Sequence, residues 1–181
     1  SSEGKPEGKS EEQPGGQKQD QVVLETSHIL IATGSVPACP PIPGSSLPGV
    51  VTSDGLLDKK DMFEHLIIIG GGVIGMEFAS VYSSLGHGVT VIEALDRILP
   101  TMDKEIAQNL KMIMKKRNVD IHTGAKVEEI LQTEDGKGLI CRYTEKDKPC
   151  EARADGILIA TGRRAYTGGL ITDESSREVK D

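Results

Sequence analysis

Glycines and one carboxylate stand at the spacing needed to hold an anionic dinucleotide. Gly70-Gly71-Gly72-Val73-Ile74-Gly75 follows directly on the apolar run Leu66-Ile67-Ile68-Ile69. Such a run reads as a strand buried on both faces of a parallel sheet. Gly70 permits the tight turn out of that strand. Gly72 lets a pyrophosphate approach the backbone without meeting a Cβ, and Gly75 lets the next helix pack closely on the sheet. The first amides of that helix point at the phosphates, where the helix dipole favours negative charge. Val89-Thr90-Val91-Ile92-Glu93 is a second strand ending in an acid. It follows the glycines by about twenty residues, the interval of a dinucleotide fold. The Glu93 carboxylate is placed to accept hydrogen bonds from the adenosine ribose and to repel a 2′-phosphate. The next residues, Ala94-Leu95, offer that phosphate no partner, so NAD is expected over NADP. The competing reading is a glycine turn with an unrelated acid at a strand end.

The elements that position these groups follow in order along the chain. The helix after the glycines is expected to turn Val73, Ile74, Phe78, Val81, Tyr82 and Leu85 inward and to stop at Gly86. A second helix is expected from about 103 to 117, with Ile106, Leu110 and Ile113 as its inner stripe. Its acids Asp103 and Glu105 lie in the first turn, and its bases Lys115, Lys116 and Arg117 in the last, as the dipole prefers. That basic cluster reads as a solvated helix end or, alternatively, as a binding patch. Residues 119–122 form a third parallel strand. Three short β-runs, 126–132, 138–144 and 150–154, are separated by turn residues and form an antiparallel meander in place of a crossover helix. Residues 157–160 then return to the parallel sheet. The expected fold class is α/β: a Rossmann-like parallel sheet with helices on both faces, one crossover being replaced by the meander.

Upstream, residues 21–24 and 29–32 read as two short strands or strand ends. Pro37, Pro40, Pro41, Pro43 and Pro48 impose an extended crossing without a regular ladder, and a short helix is expected within 52–63. Residues 1–21 contain Gly, Pro, Ser, Glu, Lys, Gln and Asp but no aliphatic side chain. They are expected to be mobile, as a terminal tail or the opened interior of a long loop.

Composition excludes several classes. The net charge of −7 over 181 residues argues against a nucleic-acid surface. No apolar run is long enough to span a membrane. Cys39, Cys141 and Cys150 form no CxxC or CxxxxC pair, which points to free thiols in a reducing cytoplasm. His28, His65, His87 and His122 are scattered, and each reads as a surface or packing residue rather than a metal ligand.

A hexapeptide occurs twice, as Ile29-Leu30-Ile31-Ala32-Thr33-Gly34 and as Ile157-Leu158-Ile159-Ala160-Thr161-Gly162. Two strands that each end under a cofactor, flanking one glycine fingerprint, describe two nucleotide-binding modules. With Ser35 after the first copy, Met76-Glu77 after the fingerprint and Arg163-Arg164 after the second copy, the chain from about residue 22 resembles the NAD-binding domain of the flavin-dependent pyridine-nucleotide disulfide oxidoreductases. It is most similar to their dihydrolipoamide dehydrogenase branch. The resemblance implies FAD and NAD as cofactors, with Gly70, Gly71, Gly72, Val73, Ile74, Gly75, Met76 and Glu77 forming the dinucleotide turn. It implies that Glu77 lies near the nicotinamide and pairs with a lysine of a flavin domain. Alternatively, Glu77 is an exposed carboxylate at a helix N-terminus. It implies that Val127 packs on the adenine, unless it is an ordinary strand residue, and that the Gly162 backbone approaches the nicotinamide. Thr33, Gly34 and Ser35 match residues that contact the flavin.

Some family features differ or are missing. The usual Arg-Arg-Pro reads Arg163-Arg164-Ala165, which is expected to loosen that turn. No flavin fingerprint precedes the chain's glycine loop, and no CxxxxC or later Gly-Asp flavin motif is present. The C-terminal dimerisation domain is absent as well. The sequence therefore reads as a middle piece. Its expected organisation is a low-complexity segment at 1–21, a flavin-domain edge and connector at 22–62, the NAD-binding domain at 63–165 and a tail at 166–181. The resemblance implies a homodimeric parent, associated with a lipoyl-carrying protein, that oxidises dihydrolipoamide and reduces NAD through FAD and a redox disulfide. The isolated chain is expected to bind NAD(H), to hold no FAD and to have no turnover. The rivals are a stand-alone NAD-sensing module, an NADH oxidase and another NADH-dependent disulfide reductase.

Overall fold

The computed structural model describes residues 22 and 24–170. The expected mobile segment at 1–21 lies outside them. The chain divides into two units, one ending at Ala32 and one beginning at Thr33. In the first unit the described residues have no regular secondary structure, so the strand expected at 29–32 does not form. A strand needs a neighbour to take its backbone hydrogen bonds. Here Ile29 and Leu30 are exposed, Leu30 by 91%.

The second unit is built on a five-stranded parallel sheet. Its strands are β2 (Val50–Thr52), β3 (His65–Ile69), β4 (Gly88–Glu93), β5 (Val119–Thr123) and β9 (Gly156–Ile159), in the spatial order β2-β9-β3-β4-β5. Three helices accompany it: α1 (Ser53–Leu57), α2 (Val73–Ser84) and α3 (Lys104–Lys116). The meander is β6 (Ala125–Gln132), β7 (Leu139–Glu145) and β8 (Lys148–Ala154), paired antiparallel in that order. A separate ribbon pairs β1 (Ser35–Pro37) with β10 (Arg163–Ala165).

The parallel sheet with a separate meander agrees with the expected class, with one correction. The helices do not cover both faces. Leu56, Met76, Ala79, Tyr82, Ala107 and Met114 all pack with Leu66, Ile68, Val89, Val91 and Val119 in one cluster. Ile67, Ile69, Ile92, Ile157 and Ile159 point the other way, into a second cluster with Ile130, Leu139, Cys141 and Tyr143 of the meander. The handedness of crossovers explains this. The steps β2-α1-β3, β3-α2-β4 and β4-α3-β5 all travel across the sheet in one direction, so right-handed connections put all three helices on one face. The return from β5 to β9 travels backward, and its connection, the meander, falls on the opposite face.

The inward faces of the helices also differ from the expected stripes. On α2 the buried residues are Gly75, Met76, Ala79 and Tyr82, while Val73, Val81 and Leu85 are exposed. On α3 they are Ala107 and Met114, with Leu110 partly buried and Ile106 and Ile113 exposed. Small side chains at 75, 79 and 107 bring the helices close to the sheet, and large apolar residues then flank the contact. The short helix expected within 52–63 covers only Ser53–Leu57, because the charged run Asp58-Lys59-Lys60-Asp61 has nothing to bury. The proline-rich crossing was expected to lack a ladder, yet it contributes β1, and the chain just beyond Pro48 contributes β2. Ala165, where the family carries proline, pairs with Ser35 in the β1–β10 ribbon. The α3 boundaries do agree with the caps: Asp103 Oδ1 accepts the Glu105 amide at 2.8 Å.

Candidate functional site

The C-terminal ends of β3, β4 and β9 bring chemistry to one edge of the sheet. Ile69 pairs with Ile159 on one side and Ile92 on the other. The chain leaves β3 toward β4, while β9 returns on the opposite side, so a topological switch lies between β3 and β9. Open α/β sheets bind ligands at such points. A cleft of about 900 Å³ occupies this edge.

The glycine loop forms its floor. Gly70 has φ +110°, and a Cβ there would collide with the Ala160 carbonyl on the neighbouring strand end. At Gly75 a Cβ would overlap the Gly70 carbonyl, so the start of α2 lies directly on the loop. At Gly72, the N-cap of α2, a Cβ would meet nothing within 4 Å, because that side of the residue faces open space. No side chain caps α2, and its first turn holds no acid. Its leading amides are therefore free for an anion.

Glu93 is buried, with 8% exposure. Its Oε2 accepts the Gly71 amide at 2.6 Å and its Oε1 accepts the Leu95 amide at 2.7 Å. The carboxylate thus ties the glycine loop to the loop after β4. A second link joins them, since Leu99 donates its amide to the Gly71 carbonyl at 2.8 Å. Each carboxylate oxygen keeps accepting capacity toward the cleft.

Of the residues singled out in the sequence, Gly70, Gly72, Val73, Ile74, Glu93, Val127 and Gly162 line this one cleft. Gly71 and Gly75 lie just behind the lining as buried supports, and Met76 is buried between α2 and the sheet. Glu77 is exposed on α2 and is not in the lining. Thr33, Gly34 and Ser35 are outside it as well. They lie at the β1–β10 ribbon, where Thr33 Oγ1 donates to the Tyr166 carbonyl and Ser35 Oγ accepts from Arg163 Nε at 2.8 Å.

One wall of the cleft carries no motif in the sequence. Pro40, Pro41, Ile42 and Pro43 line the cleft as a strap. The Pro43 carbonyl accepts the Ile130 amide at 2.8 Å, and Ala38 donates its amide to the Gly162 carbonyl at 2.9 Å. The strap therefore joins the Gly162 end of the cleft to the meander end. Its only sequence signal was the proline density, which marks rigidity but not location. Lys126 and Arg163 also line the cleft. Arg163 is engaged with Asp54 Oδ1 at 3.2 Å and with the Ser35 carbonyl at 2.7 Å.

No redox pair is formed. Cys39 is exposed, Cys141 is buried and Cys150 is intermediate, and all three are free. Cys141 pairs with Ala152, and Cys150 with Tyr143. The two thiols are thus diagonal neighbours. Burial pushes the Cys141 thiol up to about 12, which leaves almost no thiolate at neutral pH. Among the described residues, no group of three or more His, Cys, Asp or Glu could hold a metal, and no helix is long and apolar enough to cross a membrane.

Comparison with known proteins agrees with this geometry. A family model described as pyridine nucleotide-disulphide oxidoreductase matches residues 5–180. Dihydrolipoyl dehydrogenase 3 of Pseudomonas putida is 37% identical over 161 residues, which is 88% of this chain and 34% of that protein. A dihydrolipoamide dehydrogenase of Chaetomium thermophilum is 40% identical over 157 residues, 85% of this chain and 31% of that protein. The solved HOCl-induced flavoprotein disulfide reductase RclA of Escherichia coli superposes with a TM-score of 0.66 at 39% identity, covering 75% of this chain and 30% of its own. The chain spans about a third of the length of the curated relatives it matches. With the family model covering nearly all of its residues, the chain belongs to the pyridine nucleotide-disulphide oxidoreductase family.

Proposed function

We propose that the cleft is the NAD(H) site of a flavoprotein disulfide oxidoreductase of the dihydrolipoamide dehydrogenase type. One observation carries this reading: Gly72, Glu93, Val127 and Gly162, which are distant in sequence, line a single cleft. Its volume suits a ligand of nucleotide size. The group fits the residues present. The uncapped α2 N-terminus and the open side of Gly72 receive the pyrophosphate. Glu93 receives the ribose hydroxyls of the adenosine. Val127 offers an apolar surface to the adenine, and the Gly162 backbone flanks the nicotinamide end. The bound nicotinamide supplies hydride transfer to or from a flavin. This chain's residues bind and orient it.

On this reading, residues 63–165 are the nucleotide-binding part, and Thr33, Gly34 and Ser35 belong to the fringe of a flavin site. Glu77, exposed on α2, then faces a flavin-bearing part rather than the cleft. The whole protein would be a homodimer that oxidises dihydrolipoyl groups on a carrier protein, using FAD and a redox disulfide. The three free thiols favour a reducing compartment such as the cytoplasm. A second reading, another NADH-dependent flavoprotein disulfide reductase, is supported by the similarity to the Escherichia coli reductase, which matches this chain as well as the dihydrolipoyl dehydrogenases do.

The test is a titration of the 181-residue chain with NADH and with NADPH, followed by fluorescence. Saturable NADH binding that is tighter than NADPH binding is expected. Absence of NADH binding, or equal or tighter NADPH binding, overturns the reading.

A further inference from the structure

The wall of the cleft that carries Val127 is held in place by a histidine outside the cleft. His122 lies at the end of β5, in register with Ile92 of β4. Its Nδ1 is 2.8 Å from Glu145 Oε2, and its Nε2 is 3.0 Å from Asp120 Oδ2. The ring also packs tilted against Tyr143, with centroids 5.3 Å apart. Glu145 and Tyr143 are the cross-strand partners of Ala125 and Val127 in the β6–β7 ladder. Ala125 and Val127 both line the cleft. A single side chain on the parallel sheet therefore grips the two meander residues that back two residues of the cleft wall.

We propose that His122 is a positioning residue for the adenosine end of the cleft, acting as a hydrogen-bonded clamp between Asp120 on β5 and Glu145 on β7. The proposal rests on the dinucleotide reading given above. Glu145 Oε2 and Asp120 Oδ2 lie at hydrogen-bond distance from the two ring nitrogens, and the Tyr143 hydroxyl stands farther from Nε2, at 3.4 Å. The ring and Glu145 are about three-quarters buried, while Asp120 is largely exposed. Glu145 is therefore the stronger half of the clamp. Other charged groups also reach this end of β5: Lys111 of α3, whose Nζ donates to Thr123 Oγ1 at 3.1 Å, and Glu93 of β4, in register with Thr123.

The test combines a thermal-stability double-mutant cycle with binding of ADP-ribose to the full 181-residue chain. The losses in melting temperature of His122→Leu and Glu145→Gln should not add in the double variant, because both break the same contact. Additive losses overturn the clamp, whatever the cleft binds. His122→Leu and Glu145→Gln should each weaken ADP-ribose binding about three- to ten-fold, and the double variant should be no weaker than the worse single one. Because ADP-ribose lacks nicotinamide, it isolates the adenosine end. A lowered melting temperature with unchanged ADP-ribose affinity makes His122 merely structural and overturns the positioning role. Should His122→Leu fail to fold, Glu145→Gln carries the same test. Failure of the unaltered chain to bind ADP-ribose removes the positioning role together with the dinucleotide reading, while the melting-temperature cycle still reports on the clamp alone.

Discussion

Replacing Glu93 by glutamine separates the two tasks that the carboxylate performs. The carboxylate accepts the Gly71 and Leu95 amides at 2.6 and 2.7 Å and is nearly buried. A glutamine keeps one oxygen and presents an NH₂ group where the other stood, so one of the two amides loses its acceptor. A hydrogen bond to a charged group contributes about 1.5–3 kcal/mol. Relief from burying the charge returns part of that. A net loss of about 1–2 kcal/mol is expected, which for a domain of this size lowers the melting temperature by roughly 3–8 °C. The same change removes the charged acceptor from the ribose, so NADH should bind about 10- to 100-fold more weakly. NADPH should lose less, because repulsion of its 2′-phosphate disappears with the charge. Thermal denaturation followed by circular dichroism measures the first effect, and parallel NADH and NADPH titrations measure the second. An unchanged melting temperature would refute the brace between the two loops. An unchanged NADH-to-NADPH ratio would refute the ribose role.

Two glycines should respond in opposite ways to alanine. Gly75→Ala, whose new methyl overlaps the Gly70 carbonyl, should cost more than about 3 kcal/mol and is checked by denaturant unfolding. Gly72→Ala meets only open space and should cost under about 1 kcal/mol, yet weaken NADH binding at least about ten-fold because the methyl stands where the pyrophosphate is placed. Stability should fall at alkaline pH. Burial in the folded chain raises the Cys141 thiol from 9.0 and the Tyr143 phenol from 10.0, each to about 12, with the neighbouring Cys150, Glu145 and Asp120 adding to the Tyr143 shift. The unfolded chain gives up those protons first, so stability is full below about pH 9 and declines as pH rises toward 12; a chemical-denaturation series across that range that stays flat would contradict this. The purified chain should be colourless and without dihydrolipoamide turnover, because Thr33, Gly34 and Ser35 are only the fringe of a flavin site and the three cysteines form no redox pair; stoichiometric flavin absorbance would overturn it.

The sequence by itself determined the crossover from β3 through the glycine loop and α2 to β4 and Glu93, the three meander strands and the start of α3 at Asp103. Each of these rests on local physics. Buried parallel strands are continuous apolar runs, meander strands are short and bounded by turn residues, and caps need a short acceptor side chain. Tertiary structure alone decided the rest. Whether Ala79 or Val81 faces the sheet depends on how closely the helix approaches it, and that distance is set by Gly75 and the opposing strands. The strands β1, β2 and β10 are three residues long and exist only through partners more than a hundred residues away in sequence. Residues 29–32 repeat Ile157-Leu158-Ile159-Ala160, of which the first three lie in β9, yet they form no strand, because among the described residues nothing pairs with them. The same holds at the site. Spacing marked Glu93 as a ribose acceptor, but its bonds to Gly71 and Leu95 depend on two loops converging. The proline strap and the His122 grip on Glu145 arise only when the meander folds back over the sheet. Local pattern specifies which residues can form an element. Burial and hydrogen-bond satisfaction across the folded chain specify what each of those residues touches.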